Sequence, residues 1–243
     1  MSLIHHTYYK IPSKRMAVSS FSAIYRLSRY ALASLLLMLL LGLANEAMAQ
    51  RNSFSGEVLL PRDQSPRVGK LHAYDDAPHD ELDIRDVHVV LHPLDFDPRI
   101  RPIENAVITQ KKERFIPQVL LITPGSTVYF LNEDNQYHNV FSRAPRASFN
   151  IGRRPPGHVY PKRIDRTGTI KIFCDIHAHM RAYVISVSTP YFSRLDARGE
   201  YEIRNLPDGR YRMEIIHPML DTYSREIELE GGENLFRSWD LNR

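Results

Sequence analysis

Beyond residue 50 the chain is built from short runs rich in Val, Ile, Tyr and Phe, cut apart by Gly, Pro, Asn and Asp, and no stretch repeats apolar positions at helical spacing. That pattern predicts strands at Ser55–Leu60, Asp86–His92, Gln118–Thr123, Thr127–Leu131, Thr169–Cys174, Arg181–Val187, Glu200–Ile203, Tyr211–Ile216 and Tyr223–Leu229. The breaks carry turn chemistry: Thr123-Pro124-Gly125, Arg166-Thr167-Gly168 and Leu206-Pro207-Asp208-Gly209. Many short strands with turn signals between them imply an all-β sandwich or barrel. The polar stretch Arg62–Ile84, crowded with Asp75, Asp76, His79, Asp80, Glu81 and Asp83, reads as a solvated loop or insertion.

The first 49 residues have a different character. Lys10, Lys14, Arg15, Arg26 and Arg29 precede an apolar run of 14, Ala31 to Ala44, which is too short to span a bilayer comfortably. Ala47-Met48-Ala49 follows, so a charged start, an apolar middle and a small-residue cleavage site stand in signal-peptide order. The expectation is a signal peptide over 1–49, cleaved after Ala49, with a periplasmic product that keeps no stable membrane span. Removing that segment takes away five of the 32 Lys and Arg and one of the 28 Asp and Glu, leaving 27 of each. The basic balance of the whole chain therefore belongs to its leader and gives no reason to expect a nucleic-acid partner.

One cysteine, Cys174, lies in the exported part. Exported proteins usually pair their cysteines, so a single one implies a free thiol, an intermolecular bridge or a metal ligand. By itself a lone cysteine is most often a small core hydrophobe. Its neighbourhood changes the odds, because Cys174-Asp-Ile-His177-Ala-His179-Met180 places thiolate, imidazole and thioether donors within seven residues. An electron-transfer copper site wants two imidazoles and a thiolate in a trigonal set with a weak, distant Met, and this loop supplies three of those donors. Alternation along Thr169–Cys174 puts Ile170, Ile172 and Cys174 on one face, aiming the sulfur into the sandwich. The second equatorial imidazole is expected from His138, where Asn132-Glu-Asp-Asn-Gln-Tyr-His138-Asn139-Val140 closes a strand with a polar turn. Asn139 is a candidate to tie that segment to the cysteine loop through its side chain. His179 is expected to face solvent, with a ligand role in place of His177 as the alternative. His88, His92, His158 and His217 are scattered and read as ordinary histidines.

The segments Phe115-Ile-Pro117, Pro124-Gly125, Val128-x-Phe130-x-Asn132-x-Asp134, His138-Asn139-Val140 and Cys174-x-x-His177-x-x-Met180 together resemble the plastocyanin/azurin family of cupredoxins, with an amicyanin-type loop, over roughly 85 residues. The resemblance implies one type 1 copper held by His138, Cys174, His177 and Met180 in a Greek-key β-sandwich. The segment Thr189-Pro-Tyr-Phe192 and then Asp196-x-x-Gly199-x-Tyr201-x-Ile203-x-x-Leu206-Pro207-x-Gly209-x-Tyr211 is similar to bacterial plastocyanin-like proteins labelled methylamine utilization protein. It also resembles the transthyretin-like or carboxypeptidase-regulatory-like sandwich. The implied organisation is a signal peptide at 1–49, N-terminal strands and a polar loop at 50–101 that belong to the second sandwich, a cupredoxin-like copper domain at 102–188, and a smaller transthyretin-like sandwich at 189–243.

A site filled by four protein donors leaves no open position for a substrate, so the expectation is an electron carrier with a protein redox partner and not an enzyme. A copper protein for storage, delivery or sensing is the alternative. A structural or adhesive module is a third reading, for which metal removal would change nothing.

Overall fold

The computed structural model describes Met38 and residues 51–60, 82–145 and 147–242, so the expected signal peptide and most of the polar stretch Arg62–Ile84 lie outside the described residues. Among the described residues no helix is long and apolar enough to cross a membrane.

The strands are β1 (Asn52–Leu59), β2 (His88–Pro93), β3 (Ala106–Gln110), β4 (Phe115–Ile116), β5 (Val119–Ile122), β6 (Ser126–Asn132), β7 (Phe141–Ser142), β8 (Phe149–Asn150), β9 (Val159–Ile164), β10 (Gly168–Phe173), β11 (Arg181–Ser186), β12 (Phe192–Arg194), β13 (Glu200–Leu206), β14 (Gly209–Ile216), β15 (Tyr223–Leu229) and β16 (Asn234–Asp240). All nine expected strands are present, Tyr223–Leu229 with the expected ends and the other eight with shifted ones. The second begins at His88, because Ile84–Asp86 forms a turn of 3-10 helix capped by Asp83, whose carboxylate accepts from the Arg85 N–H. Strands β3, β4, β7, β8, β9, β12 and β16 were not expected. Several are two or three residues long, and β9 exposes half and β16 most of its side chains, with polar or charged residues among the inward ones of β9, so neither carries the apolar alternation that reveals a half-buried strand.

Four sheets result: β13-β1-β16, β12-β2-β14-β15, β5-β11-β10-β7-β8 and β4-β3-β6-β9. The last two enclose a core of Ile108, Phe115, Ile122, Val128, Phe130, Val140, Ile151, Ile170, Ile172, Cys174, Met180 and Val184. Parallel pairing of β3 with β6 and of β5 with β11 makes both sheets mixed. The first two sheets enclose Phe54, Val58, Val89, Leu91, Tyr201, Ile203, Leu206, Tyr211, Met213, Ile215 and Leu229. Strand β1 pairs with β13 and β16, and β2 with β12 and β14, so the chain leaves this second pair of sheets after β2 and returns to it at β12.

The two pairs are stacked. A third apolar cluster, Val90, Val119, Leu121, Ile185 and Val187 with Tyr183, Phe192 and Ile216 against it, lies where β2, β12 and β14 meet β5 and β11. That contact explains why β2 runs His-Val-Val-Leu with every residue buried: Val89 and Leu91 face one core and Val90 the other. Asp86 reinforces the contact, accepting from the Gln118 N–H at 3.2 Å and pairing with Arg194 at 2.9 Å.

Candidate metal centre

Two segments reach the same end of the β5-β11-β10-β7-β8 and β4-β3-β6-β9 sandwich. The first is the turn after β6, which braces itself. The Asn132 side chain donates to the Gln136 carbonyl at 2.9 Å and to the Arg154 carbonyl at 3.2 Å, while its Oδ1 accepts from the Asp134 N–H at 3.0 Å. A two-way backbone bridge with Arg154, at 3.1 Å and 2.7 Å, then holds His138. The second segment is the Cys174–Met180 connection between β10 and β11. It closes on itself through Met180 N–H to the His177 carbonyl (3.0 Å) and Cys174 N–H to the Met180 carbonyl (3.3 Å).

These braces bring His138, Cys174 and His177 together. The Cys174 Sγ lies 3.9 Å from His138 Nδ1 and 4.0 Å from His177 Nδ1, and the two Nδ1 atoms are 3.1 Å apart. Among the described residues this is the one group of three or more His, Cys, Asp or Glu whose ligand atoms converge in this way. A trigonal plane with metal–ligand bonds of about 2.0–2.3 Å puts its donors about 3.5–3.8 Å apart, close to what is seen. His138 and Cys174 have no solvent exposure, and Met180, at 1 %, is buried in the same apolar core as Cys174. A thiolate, two imidazoles and a thioether in a dry pocket are soft and borderline donors, a set suited to one copper ion.

Each imidazole turns its Nδ1 inward and its Nε2 to a carboxylate. His138 Nε2 is 2.8 Å from Asp134 Oδ2, an outer contact that fixes the ring and leaves Nδ1 free as a donor. Burial pushes the Asp134 carboxyl up, but the N–H groups of Glu113 and Lys112 and the His138 ring outweigh it and hold it below the usual carboxylate range. His177 Nε2 is 3.8 Å from Glu113 Oε1, and the His177 side chain is 16 % exposed, making it the one donor of the three that reaches solvent. Glu113 is itself held below the usual range, first by the hydrogen bond from Gln136 (2.7 Å) and then by the neighbouring histidines.

His179 stands outside the cluster, 47 % exposed, with its Nε2 3.5 Å from Glu113 Oε2. Asn139 is buried beside His138, and its Oδ1 has no hydrogen-bond partner; the two ligand-bearing segments meet at Phe141 and Phe173, which pair across β7 and β10. Asp134 and Glu113 carried no expected role. The four-residue offset of Asp134 from His138 was the available signal, whereas Glu113, although it precedes the Phe115-Ile-Pro117 segment, is far in sequence from every donor.

No protein-family model matches the sequence, and no curated protein matches it. Among solved structures, similarity is found to amicyanin from Paracoccus versutus, with 20 % identity over 41 % of this chain and 97 % of that one, at a TM-score of 0.32. A purple cupredoxin from Nitrosopumilus maritimus is 22 % identical over 34 % of this chain and 100 % of that one, at a TM-score of 0.31. A copper-containing nitrite reductase from Thermus scotoductus SA-01 is 20 % identical over 40 % of this chain at a TM-score of 0.33, and the chain spans only 25 % of that enzyme's length.

Proposed function

We propose that this chain is an exported copper protein that carries single electrons, with one copper held by His138, Cys174, His177 and Met180. The observation that carries this reading is the convergence of one buried thiol and two imidazole Nδ1 atoms at 3.1–4.0 Å, with a buried thioether in the same core. Bound there, copper would supply a Cu(II)/Cu(I) couple. The protein's part is to keep the donors fixed and dry, so that little rearrangement accompanies a change of charge, and to expose one edge, at His177, to a redox partner protein. Four donors leave no vacant position for a substrate, which favours a carrier over an enzyme. Export to the periplasm, with cleavage after Ala49, belongs to the same reading and is supported by the order of charged, apolar and small residues in 1–49.

Copper storage or delivery without redox turnover is the second reading, favoured by the preference of thiolate and thioether donors for Cu(I). Adding one equivalent of Cu(II) to the processed protein separates the two. A carrier develops an intense thiolate-to-copper band in the visible and cycles reversibly with mild oxidant and reductant. A delivery protein binds Cu(I) without colour and does not cycle.

A further inference from the structure

The tip of the β3–β4 hairpin is strained and aimed. Lys111 and Arg114 exchange backbone hydrogen bonds at 2.9 Å and 3.2 Å across a two-residue turn, and both central residues, Lys112 (φ 53°) and Glu113 (φ 56°), lie in the left-handed region. Such turns ordinarily use Asn-Gly, because a side chain is disfavoured at both positions. The strain is held by one group: the Asp134 carboxylate accepts from the N–H of Lys112 through Oδ1 and from the N–H of Glu113 through Oδ2. That same Oδ2 meets His138 Nε2. The hairpin tip is therefore tied to one imidazole of the centre by its backbone and brought over the other by its side chain. There the Glu113 carboxylate lies 3.8 Å from His177 Nε2 and 3.5 Å from His179 Nε2, and Gln136 steadies it.

Neither histidine contact is short enough for a hydrogen bond, but a full negative charge at this distance acts through its field. We propose that Glu113 is a positioning residue that caps the outward nitrogen of His177 and biases the centre toward Cu(II); this rests on the copper reading above. A carboxylate near Nε2 favours the tautomer that carries its proton there, which leaves the Nδ1 lone pair directed at the metal. The same charge stabilises the more positive oxidation state. Glu113 is 42 % exposed, so solvent screens much of the field.

The test is the reduction potential of the copper-loaded full chain, measured for wild type, Glu113→Gln, Glu113→Asp and Glu104→Gln. Glu113→Gln keeps the shape and the backbone N–H groups that Asp134 holds, while Glu104 precedes the opposite end of β3 and controls for net charge. The expected result is a rise of the potential in Glu113→Gln equivalent to about a tenfold change in the Cu(II)/Cu(I) balance, about 59 mV for one electron. Glu113→Asp stays closer to wild type, and Glu104→Gln does not move. A potential unchanged in Glu113→Gln, or moved equally by the Gln and Asp variants, overturns the role of the charge and leaves the copper reading standing. A wild-type protein that gives no charge-transfer band with copper overturns the copper reading, and this inference with it.

Discussion

Cys174 has no solvent exposure, and its sulfur sits 3.9–4.0 Å from two imidazole nitrogens, a setting in which a thiolate is useful only if a cation joins it. Cys174→Ser should abolish the visible band outright, because an alcohol cannot replace the polarizable thiolate bond; absorption of the copper-loaded protein checks it. His177→Ala should open a position to exogenous imidazole and His179→Ala should leave colour and affinity nearly intact, since only the former turns a nitrogen to the sulfur. Met180→Leu should keep the metal and raise the reduction potential, because losing even a weak donor costs the more highly charged Cu(II) more than it costs Cu(I), which is satisfied by three ligands. Asp134→Asn tests the support behind His138. It removes the charge that orients the ring, and a loss of about 10–100-fold in copper affinity is expected by competition with a chelator.

At the level of elements, alternation is what made the long strands legible. In β13, Tyr201 and Ile203 are buried, and in β14, Tyr211, Met213 and Ile215 are, as an alternating strand requires of its core face, while Leu206 is out of phase and reaches the core past Asn205, whose φ is 60°. The Tyr211 hydroxyl turns back to donate to the Pro207 carbonyl at 2.7 Å, pinning the connection between them. Short strands such as β7 and β8 hold too few residues to show a period, and β9 carries Pro161 on an edge, where a missing N–H costs nothing. Strand β1 is joined to its distant neighbours by Asn52. Its buried side chain donates to the Leu206 carbonyl (3.3 Å) and Asp208 (2.8 Å) and accepts from the Glu233 N–H (2.8 Å). Asn52→Ala leaves those partners without it and should cost about 2–3 kcal/mol in urea unfolding, while the visible spectrum of bound copper stays unchanged. A shifted spectrum would mean that β1 reports to the metal centre.

Over the whole molecule, stacking of four sheets buries two histidines in the second pair of sheets. Burial pulls the imidazoles of His88 and His217 down from 6.5 to about 4. Both are neutral in the folded protein until the pH is well below the point at which the unfolded chain binds its protons. Their contribution is therefore fully present above pH 6.5 and is lost as the pH falls from 6.5 toward about 4, by about 3 kcal/mol for each histidine. Urea titrations of the copper-free protein between pH 7.5 and 4.5 check this, and His217→Asn should flatten the profile relative to wild type. Copper should act in the opposite sense. A metal that binds only the folded arrangement of donors separated by 36 residues adds its binding energy to folding. At a hundredfold excess over Kd the melting temperature should rise by about 5–10 °C, and an unchanged melt would mean that the donors do not hold the ion.

Strand-forming alternation and the donor spacing of Cys174, His177 and Met180 are local properties, so the all-β class and most of the metal loop can be read directly from residue order. The approach of His138 to that loop was inferable only from its setting after a strand and from resemblance. What local order does not encode is which strands meet. The pairing of β1 with β13 and β16, the burial of both faces of β2, and the arrival of Glu113 over His177 all depend on contacts between residues far apart in the chain. Strand propensity describes a surface that can be half buried but does not name its neighbour. That choice is made by packing and by closure of the sheets, and the chemistry at the rim of the metal centre follows from it.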